Sequence, residues 1–209
     1  MHKPILTREQ KSIIVGKILG DGHLETQTKG KSYRLKVEHS ISQKEYVDWT
    51  FQMLKDWVKT SPKTKLKMRQ GIKGINYYFQ TVSTSSFRFF GQSFYPKGVK
   101  QVPIIIGKLL TPLSLAIWFM DDGSIKSRHH RALILNTQAF NELSLKRLQK
   151  VLDEKFGVCT ILRRQKEGKQ IYVLAKSVDK FVEIIKPYLL PEMYYKLGKN
   201  LELTQLPKR

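Results

Sequence analysis

A short apolar segment ending in an acid and a glycine occurs twice in this chain. It constrains the fold more than any other feature. The first copy reads Ile14-Val15-Gly16-Lys17-Ile18-Leu19-Gly20-Asp21-Gly22, the second Leu115-Ala116-Ile117-Trp118-Phe119-Met120-Asp121-Asp122-Gly123. Each puts a carboxylate at the end of a helix otherwise dressed for burial, and a charge there is costly unless it pairs or meets a metal ion. Gly16 and Gly20 lie four residues apart, on one helix face with almost no bulk. With Ala116 as the small residue of the second copy, that face predicts a close crossing of the two helices. Asp21 and Asp122 would then emerge side by side.

The segments flanking each copy repeat as well. Thr7-Arg8-Glu9-Gln10 reads as a capping box, and Thr111-Pro112 as an N-cap with proline at the first helical position. After the first copy, strands are expected at residues 23–28 and 33–39 around a Lys29-Gly30-Lys31 turn. A helix follows at 43–59, then a hairpin of 64–70 and 75–82 turning at 71–74, and a helix at 86–94 capped from the Ser83–Ser86 cluster. After the second copy, a weak hairpin near 127–130 returns along 131–136. A helix at 141–156 stops at Gly157, a hairpin at 158–175 turns at 167–169, and Ser177 caps a last helix ending at Pro187. Both halves read helix, hairpin, helix, hairpin, helix, dividing the chain at 1–103 and 104–209.

The acids Asp21 and Asp122 are 101 residues apart, one half of a 209-residue chain. Lys100 follows Asp21 by 79 residues and Lys196 follows Asp122 by 74, each just past the last helix of its half. Divalent cations bridging the two acids could activate water and stabilise the leaving oxygen of a phosphodiester. Magnesium suits the task because it takes few carboxylates and fills its shell with water and phosphate oxygens, and manganese can substitute. Asp121 aligns with Gly20, so these two residues are expected to contribute backbone carbonyls and Asp122 the side chain.

The partner is expected to be a polyanion. The net charge is +21, from 38 Lys and Arg against 17 acids, a field that favours nucleic acid over other partners. No apolar stretch approaches the ~20 residues of a membrane span. In residues 64–70 the basic Lys65, Lys67 and Arg69 alternate with Leu66 and Met68. In residues 33–39, Arg34, Lys36 and Glu38 alternate with Tyr33, Leu35 and Val37. Period two predicts one buried and one cationic face, fit to lie in a DNA groove. Lys126, Arg131, Arg163, Arg164, Lys166, Lys169 and Gln170 suggest the same for the second half. The single cysteine, Cys159, excludes an intrachain disulfide and a CxxC zinc site, and its neighbours suggest a buried filler. The five histidines show no metal-ligand spacing, and His129-His130 reads as a turn pair. The N-terminus lacks a signal or transit pattern. That fits a protein working where it is made, in an organelle that encodes it or in a cytoplasm.

Taken with the run Leu109-Leu110-Thr111-Pro112-Leu113-Ser114-Leu115-Ala116, with Ile134-Leu135-Asn136-Thr137-Gln138, and with Ile185-Lys186-Pro187-Tyr188-Leu189 through Tyr195-Lys196-Leu197, the two motifs resemble the LAGLIDADG homing endonucleases of the two-motif, single-chain class. The resemblance implies an α+β fold of two pseudo-symmetric αββαββα halves. Motif helices would form the central interface and two saddle-shaped antiparallel sheets would face DNA. It implies an intron-encoded monomer that binds Mg2+ through Asp21 and Asp122, with Lys100 and Lys196 stabilising charge at the phosphate. The reaction would be a staggered double-strand break in a long, largely asymmetric target. An intron RNA maturase, alone or as a dual function, is the alternative. A non-catalytic DNA-binding regulator is a third reading, and it predicts loss of a motif acid. Two departures bear on the helix crossing: Lys17 stands at a usually apolar position, and Ile117 replaces a usual glycine.

Overall fold

The computed structural model describes residues 4–69, 72–127 and 130–204. At its centre, helix α1 (Arg8–Leu19) packs against α5 (Pro112–Asp122). Both are buried almost all round, which is why their sequences read as apolar runs rather than as one stripe. Each starts with the expected cap. Thr7 and Gln10 exchange side-chain and backbone hydrogen bonds, and so do Thr111 and Ser114.

Three contacts set the crossing. At the N-terminal ends, Thr111 Oγ1 donates to Ser12 Oγ at 2.9 Å. In the middle, a Cβ on Gly16 would lie 2.7 Å from both Ile117 Cβ and the Ser114 carbonyl oxygen. At the C-terminal ends, a Cβ on Gly20 would lie 2.4 Å from Asp121 Cβ. The two departures of the motifs therefore fit one another: Ile117 fills the space left by Gly16, and Asp121 fills the space left by Gly20. Ala116 is buried, but the side chain that meets Gly16 is that of Ile117.

Each half carries one four-stranded antiparallel sheet. The first holds β1 (His23–Glu25), β2 (Arg34–Ser40), β3 (Lys63–Arg69) and β4 (Ile72–Gln80) in the order β1-β2-β4-β3. Behind it lie α2 (Lys44–Met53) and α3 (Arg88–Phe94). After the short α4 (Ile106–Leu109) and α5, the second sheet holds β5 (Gly123–Ser127), β6 (His130–Leu135), β7 (Thr160–Gln165) and β8 (Gly168–Val173) in the matching order β5-β6-β8-β7. Helices α6 (Glu142–Phe156) and α7 (Ala175–Ile185) back it. The hydrophobic core is continuous across both halves, from Leu35 and Phe87 through Trp118 to Phe181. Among the described residues no helix is long and apolar enough to cross a membrane.

Several expectations need correction. Leu66 and Met68 are 77% and 61% exposed: β3 is the edge strand of a hairpin that reaches past the helices, so neither of its faces is covered there. Gly74 pairs with Lys67 inside β4, and Arg69 pairs with Ile72, so the connection is Gln70-Gly71, which lies outside the described residues. Lys169 and Gly168 likewise belong to β8 and leave Lys166-Glu167 as the turn. The helix expected at 43–59 breaks into a 3-10 turn (Ile41–Gln43), α2 and a second 3-10 turn (Lys55–Trp57). Ser177 lies inside α7, where its hydroxyl accepts the Cys159 N–H at 3.0 Å instead of capping. Cys159 itself is half-buried. Gly157 ends α6 in the left-handed conformation, as its position predicts. Of the histidine pair, His129 lies outside the described residues.

Overpacking of a close contact costs about 1–3 kcal/mol. Gly16→Ala should lower the unfolding free energy by about that amount in urea titrations, because its Cβ would strike backbone. Gly74→Ala, whose Cβ would meet only Lys67 O at an ordinary 3.7 Å, should change stability by less than about 0.5 kcal/mol.

Candidate metal centre and nucleic-acid interface

Helix α1 ends at Leu19, and Asp21 begins the turn into β1; α5 ends at Asp122, and Gly123 begins β5. The crossing brings both acids to one end of the helix pair. Burial comes first among the causes that raise both carboxyls above the ordinary value. For Asp21, Asp121 adds to the rise and Lys17 opposes it. For Asp122, the charges on Asp21 and Asp121 add to the burial and push the group up to about 8, against the pull of Lys100 and Lys196. Two acids that repel one another across a partly dry site form a donor set fitted to a divalent cation.

Lys100 and Lys196 come to this end as expected, and in matching ways. Lys100 Nζ donates to the Gly20 carbonyl oxygen and Lys196 Nζ to that of Asp121, each at 2.9 Å. These are the two carbonyls expected to join the metal site, so each carbonyl carries a lysine. Burial lowers both ammonium groups while the three nearby aspartates hold them up.

A second cluster lies beside the acids, and only part of it was foreseen. Lys17 Nζ is fully buried, 2.9 Å from Asp121 Oδ1 and 3.0 Å from His39 Nε2, and 3.8 Å above the Tyr46 ring. Tyr46 Oη donates to Asp121 Oδ1 at 2.7 Å, and the Asp21 N–H donates to Asp121 Oδ2 at 3.0 Å. His39 Nδ1 stands 3.7 Å from Asp21 Oδ2. Burial and the Lys17 charge lower His39 to about 4, so its ring is neutral at pH 7. Burial alone would raise Asp121; the Lys17 charge and hydrogen bonds from Lys17 and Tyr46 outweigh it and hold the carboxyl below its usual range. Asp21, His39 and Asp121 present ligand atoms within 4.8 Å of one another, close enough for a metal. The Lys17 ammonium already serves as the cation between His39 and Asp121, however. Asp21 and Asp122 are the pair that the sequence singles out for a divalent ion.

His39 escapes a search for histidine spacing, but it is in phase with Leu35 and Val37 on the covered face of β2, and that phase was the usable signal. Asn136 was also missed as a site residue. Its backbone N–H and its Nδ2 both donate to the Asp122 carbonyl oxygen, at 3.0 and 2.8 Å.

Strand registers divide the basic residues by face. Arg34, Lys36, Lys65 and Lys67 share the face of the first sheet turned away from the helices, with His23, Asn76, Tyr78 and Gln80 opposite or beside them. Two acids sit among them. Glu25 takes Arg34 and Lys36, both at 2.9 Å, and Glu38 takes Lys65 at 2.6 Å and Lys67 at 3.4 Å. The side chain of Arg69 lies outside the described residues. In the second sheet, Arg163 is exposed over the Tyr172 ring, Lys126 is half-exposed in β5, and Arg164 and Lys166 are exposed at the tip of the β7–β8 hairpin. Arg131 and Lys169 belong to the other face. Arg131 shares the helix-covered face with Leu133 and pairs with Asp179 of α7. Lys169 is in phase with Ile171 on that covered face and pairs with Glu142 at 3.1 Å. Gln170 lies opposite Arg163 on the outer face, where it donates to Asn136 Oδ1 at 2.5 Å.

Comparison with known proteins agrees with this geometry. Residues 11–181 match the LAGLIDADG DNA endonuclease family. The DNA endonuclease I-ChuI of Chlamydomonas applanata is 30% identical over 92% of this chain and 96% of its own length. Cytochrome b mRNA maturase bI2 of Saccharomyces cerevisiae is 32% identical over 91% of this chain but only 47% of its own. Among solved structures, the homing endonuclease I-WcaI bound to its DNA recognition sequence superposes with a TM-score of 0.87, at 27% identity, covering 93% of this chain and 88% of that one.

The raised Asp122 carboxyl has a consequence for stability. A group held at about 8 in the folded chain and near 3.8 when unfolded binds more protons in the folded state between those values. Its contribution is present at low pH and lost as pH rises through 8. Thermal unfolding in EDTA should therefore show stability falling from pH 5 to pH 8 by more in the unaltered chain than in Asp122→Asn.

Proposed function

The chain belongs to the LAGLIDADG DNA endonuclease family, and on that premise we propose that it is a site-specific homing endonuclease. It makes a staggered double-strand break in a long, largely asymmetric DNA target by metal-dependent phosphodiester hydrolysis. The observation that carries this reading is the meeting of Asp21 and Asp122, each beside a lysine bound to a matching carbonyl, at the seam between two sheets. A regulator that only binds DNA would not need to keep both acids.

Asp21 and Asp122 are the residues that would hold Mg2+, with Mn2+ as a substitute. Once bound, the metal supplies a more acidic water and neutralises charge on phosphate oxygens. The remaining steps fall to side chains of this chain. Lys100 and Lys196 hold positive charge where the phosphate becomes most negative. Their carbonyl partners keep both ammonium groups aimed along the site. The water oxygen bonds to phosphorus as one phosphorus–sugar oxygen bond breaks, and the departing oxygen leaves with a proton. The acids are related by the same pseudo-two-fold axis as the halves, so one monomer can address both strands of a duplex.

The cationic outer sheet faces would hold the DNA. Arg34, Lys36, Lys65 and Lys67 form a comb whose spacing Glu25 and Glu38 keep in place, and Arg163 with Lys166 extends it on the other half. These ion pairs lie on the surface, with their carboxylates half-buried, and surface pairs add little stability, so exchanging a carboxylate for a phosphate costs little. Intron RNA as a second ligand is favoured by one observation, the 32% identity to a maturase.

Cleavage selection on a randomised duplex library with Mg2+ should return one long consensus cut on both strands. Asp122→Asn should slow cutting by at least about a hundredfold. Binding without cutting in every divalent metal would overturn the catalytic reading and direct the search to intron RNA. Lys65→Ala should weaken binding across all sequences and reduce the slope of log affinity against log salt by about 1.

A further inference from the structure

Lys17 is placed where a hydrophobic side chain would serve the core better. It is fully buried in α1, and its ammonium has three neighbours: Asp121 Oδ1, His39 Nε2 and the Tyr46 ring. Burying an ion pair seldom gains stability over apolar residues of similar size. Its retention calls for another consequence, and the hydrogen bonds beyond it supply one.

The turn after α1 has unusual donors. Gly20 N–H bonds back to Gly16 O at 3.0 Å and Gly22 N–H to Lys17 O at 2.7 Å. Between them, the Asp21 N–H leaves its own half and donates to Asp121 Oδ2. The opposite oxygen of that carboxylate takes Lys17 and Tyr46 Oη. Lys17 holds one side of the carboxylate, and the other side holds the backbone of Asp21. Gly20 is bare at this point because a Cβ would strike Asp121.

We propose that Lys17 is a positioning residue: through Asp121 of the second half it fixes the main chain that carries Asp21 in the first half. Among the described residues the arrangement occurs once. In the aligned motifs Trp118 stands where Lys17 does, and Gly20, without a side chain, stands where Asp121 does. Asp122 therefore has no equivalent restraint, and its carbonyl is held instead by Asn136 of its own half. The two acids are fixed by different means, so loss of Lys17 should disturb them unequally. Only the cleavage readout below rests on the endonuclease reading.

Amide hydrogen exchange tests the restraint without any activity. In Lys17→Met, the Asp21 amide should exchange about tenfold faster than in the unaltered chain while the neighbouring Gly20 amide keeps its rate. Lys17→Met with Asp121→Asn leaves no unpaired buried charge, so it covers the case in which the single variant fails to fold; the same bias toward Asp21 is expected. Equal acceleration at both amides, or none at either, would overturn the proposal. On a supercoiled target plasmid with Mg2+, the variants should accumulate nicked circles, one strand being cut about tenfold more slowly than the other relative to the unaltered protein. Both strands slowing alike would overturn it too. Failure of the unaltered protein to cut any target would instead count against the endonuclease reading, and the exchange result would then decide the present proposal alone.

Discussion

Asp21 and Asp122 come together because α1 and α5 touch where one of them has no side chain. Gly16 admits Ile117 and Gly20 admits Asp121, each with less room than a methyl group needs. Interaxial distance follows from the side chains at the contact, so these two glycines set how near the helix ends approach. The separation of the acids, the reach of Lys100 and Lys196 to the two carbonyls, and the placement of a sheet on either side all follow from that crossing. The hydrogen bond from Thr111 to Ser12 holds the far end of the same helix pair.

A close crossing would ordinarily be made dry and apolar. Here its lower end contains an ammonium, a carboxylate, a neutral imidazole and a phenol, joined to one another through Lys17 Nζ and Asp121 Oδ1. Removing one partner of such a pair leaves an uncompensated charge, which typically costs about 3–5 kcal/mol, whereas the intact pair adds little. The cluster is better understood as orientation than as stability. It engages the Asp121 carboxylate with Lys17 and Tyr46, while Asp122 has its own group raised to about 8 by burial and the neighbouring acids.

Much of this was legible in the sequence, and the rest was not for physical reasons. The capped motif helices, the paired acids and the two distant lysines were readable because caps, apolar runs and half-chain spacing are local or periodic signals. The alternation in β2 was readable because a helix covers one face; in β3 the same alternation misled, since no helix lies behind Leu66 and Met68. Complementarity between Gly16 and Ile117, and between Lys17 and Asp121, joins residues about a hundred positions apart, and no periodicity reports it. Arg131 and Lys169 looked like groove contacts by composition; that they lie on the helix-covered face, paired with Asp179 and Glu142, is visible only once α7 and α6 are packed. His39 hid in plain phase with Leu35 and Val37.

We propose that the divalent ion sits on Asp21 and Asp122, while Lys17 already serves as the cation of the neighbouring cluster. Anomalous scattering from a crystal of the protein with its selected DNA target and Mn2+ tests it directly. The expected result is density for manganese beside the Asp21 and Asp122 carboxylates, with Lys17 Nζ still on Asp121. Manganese seated between His39 and Asp121, with the lysine displaced, would contradict it.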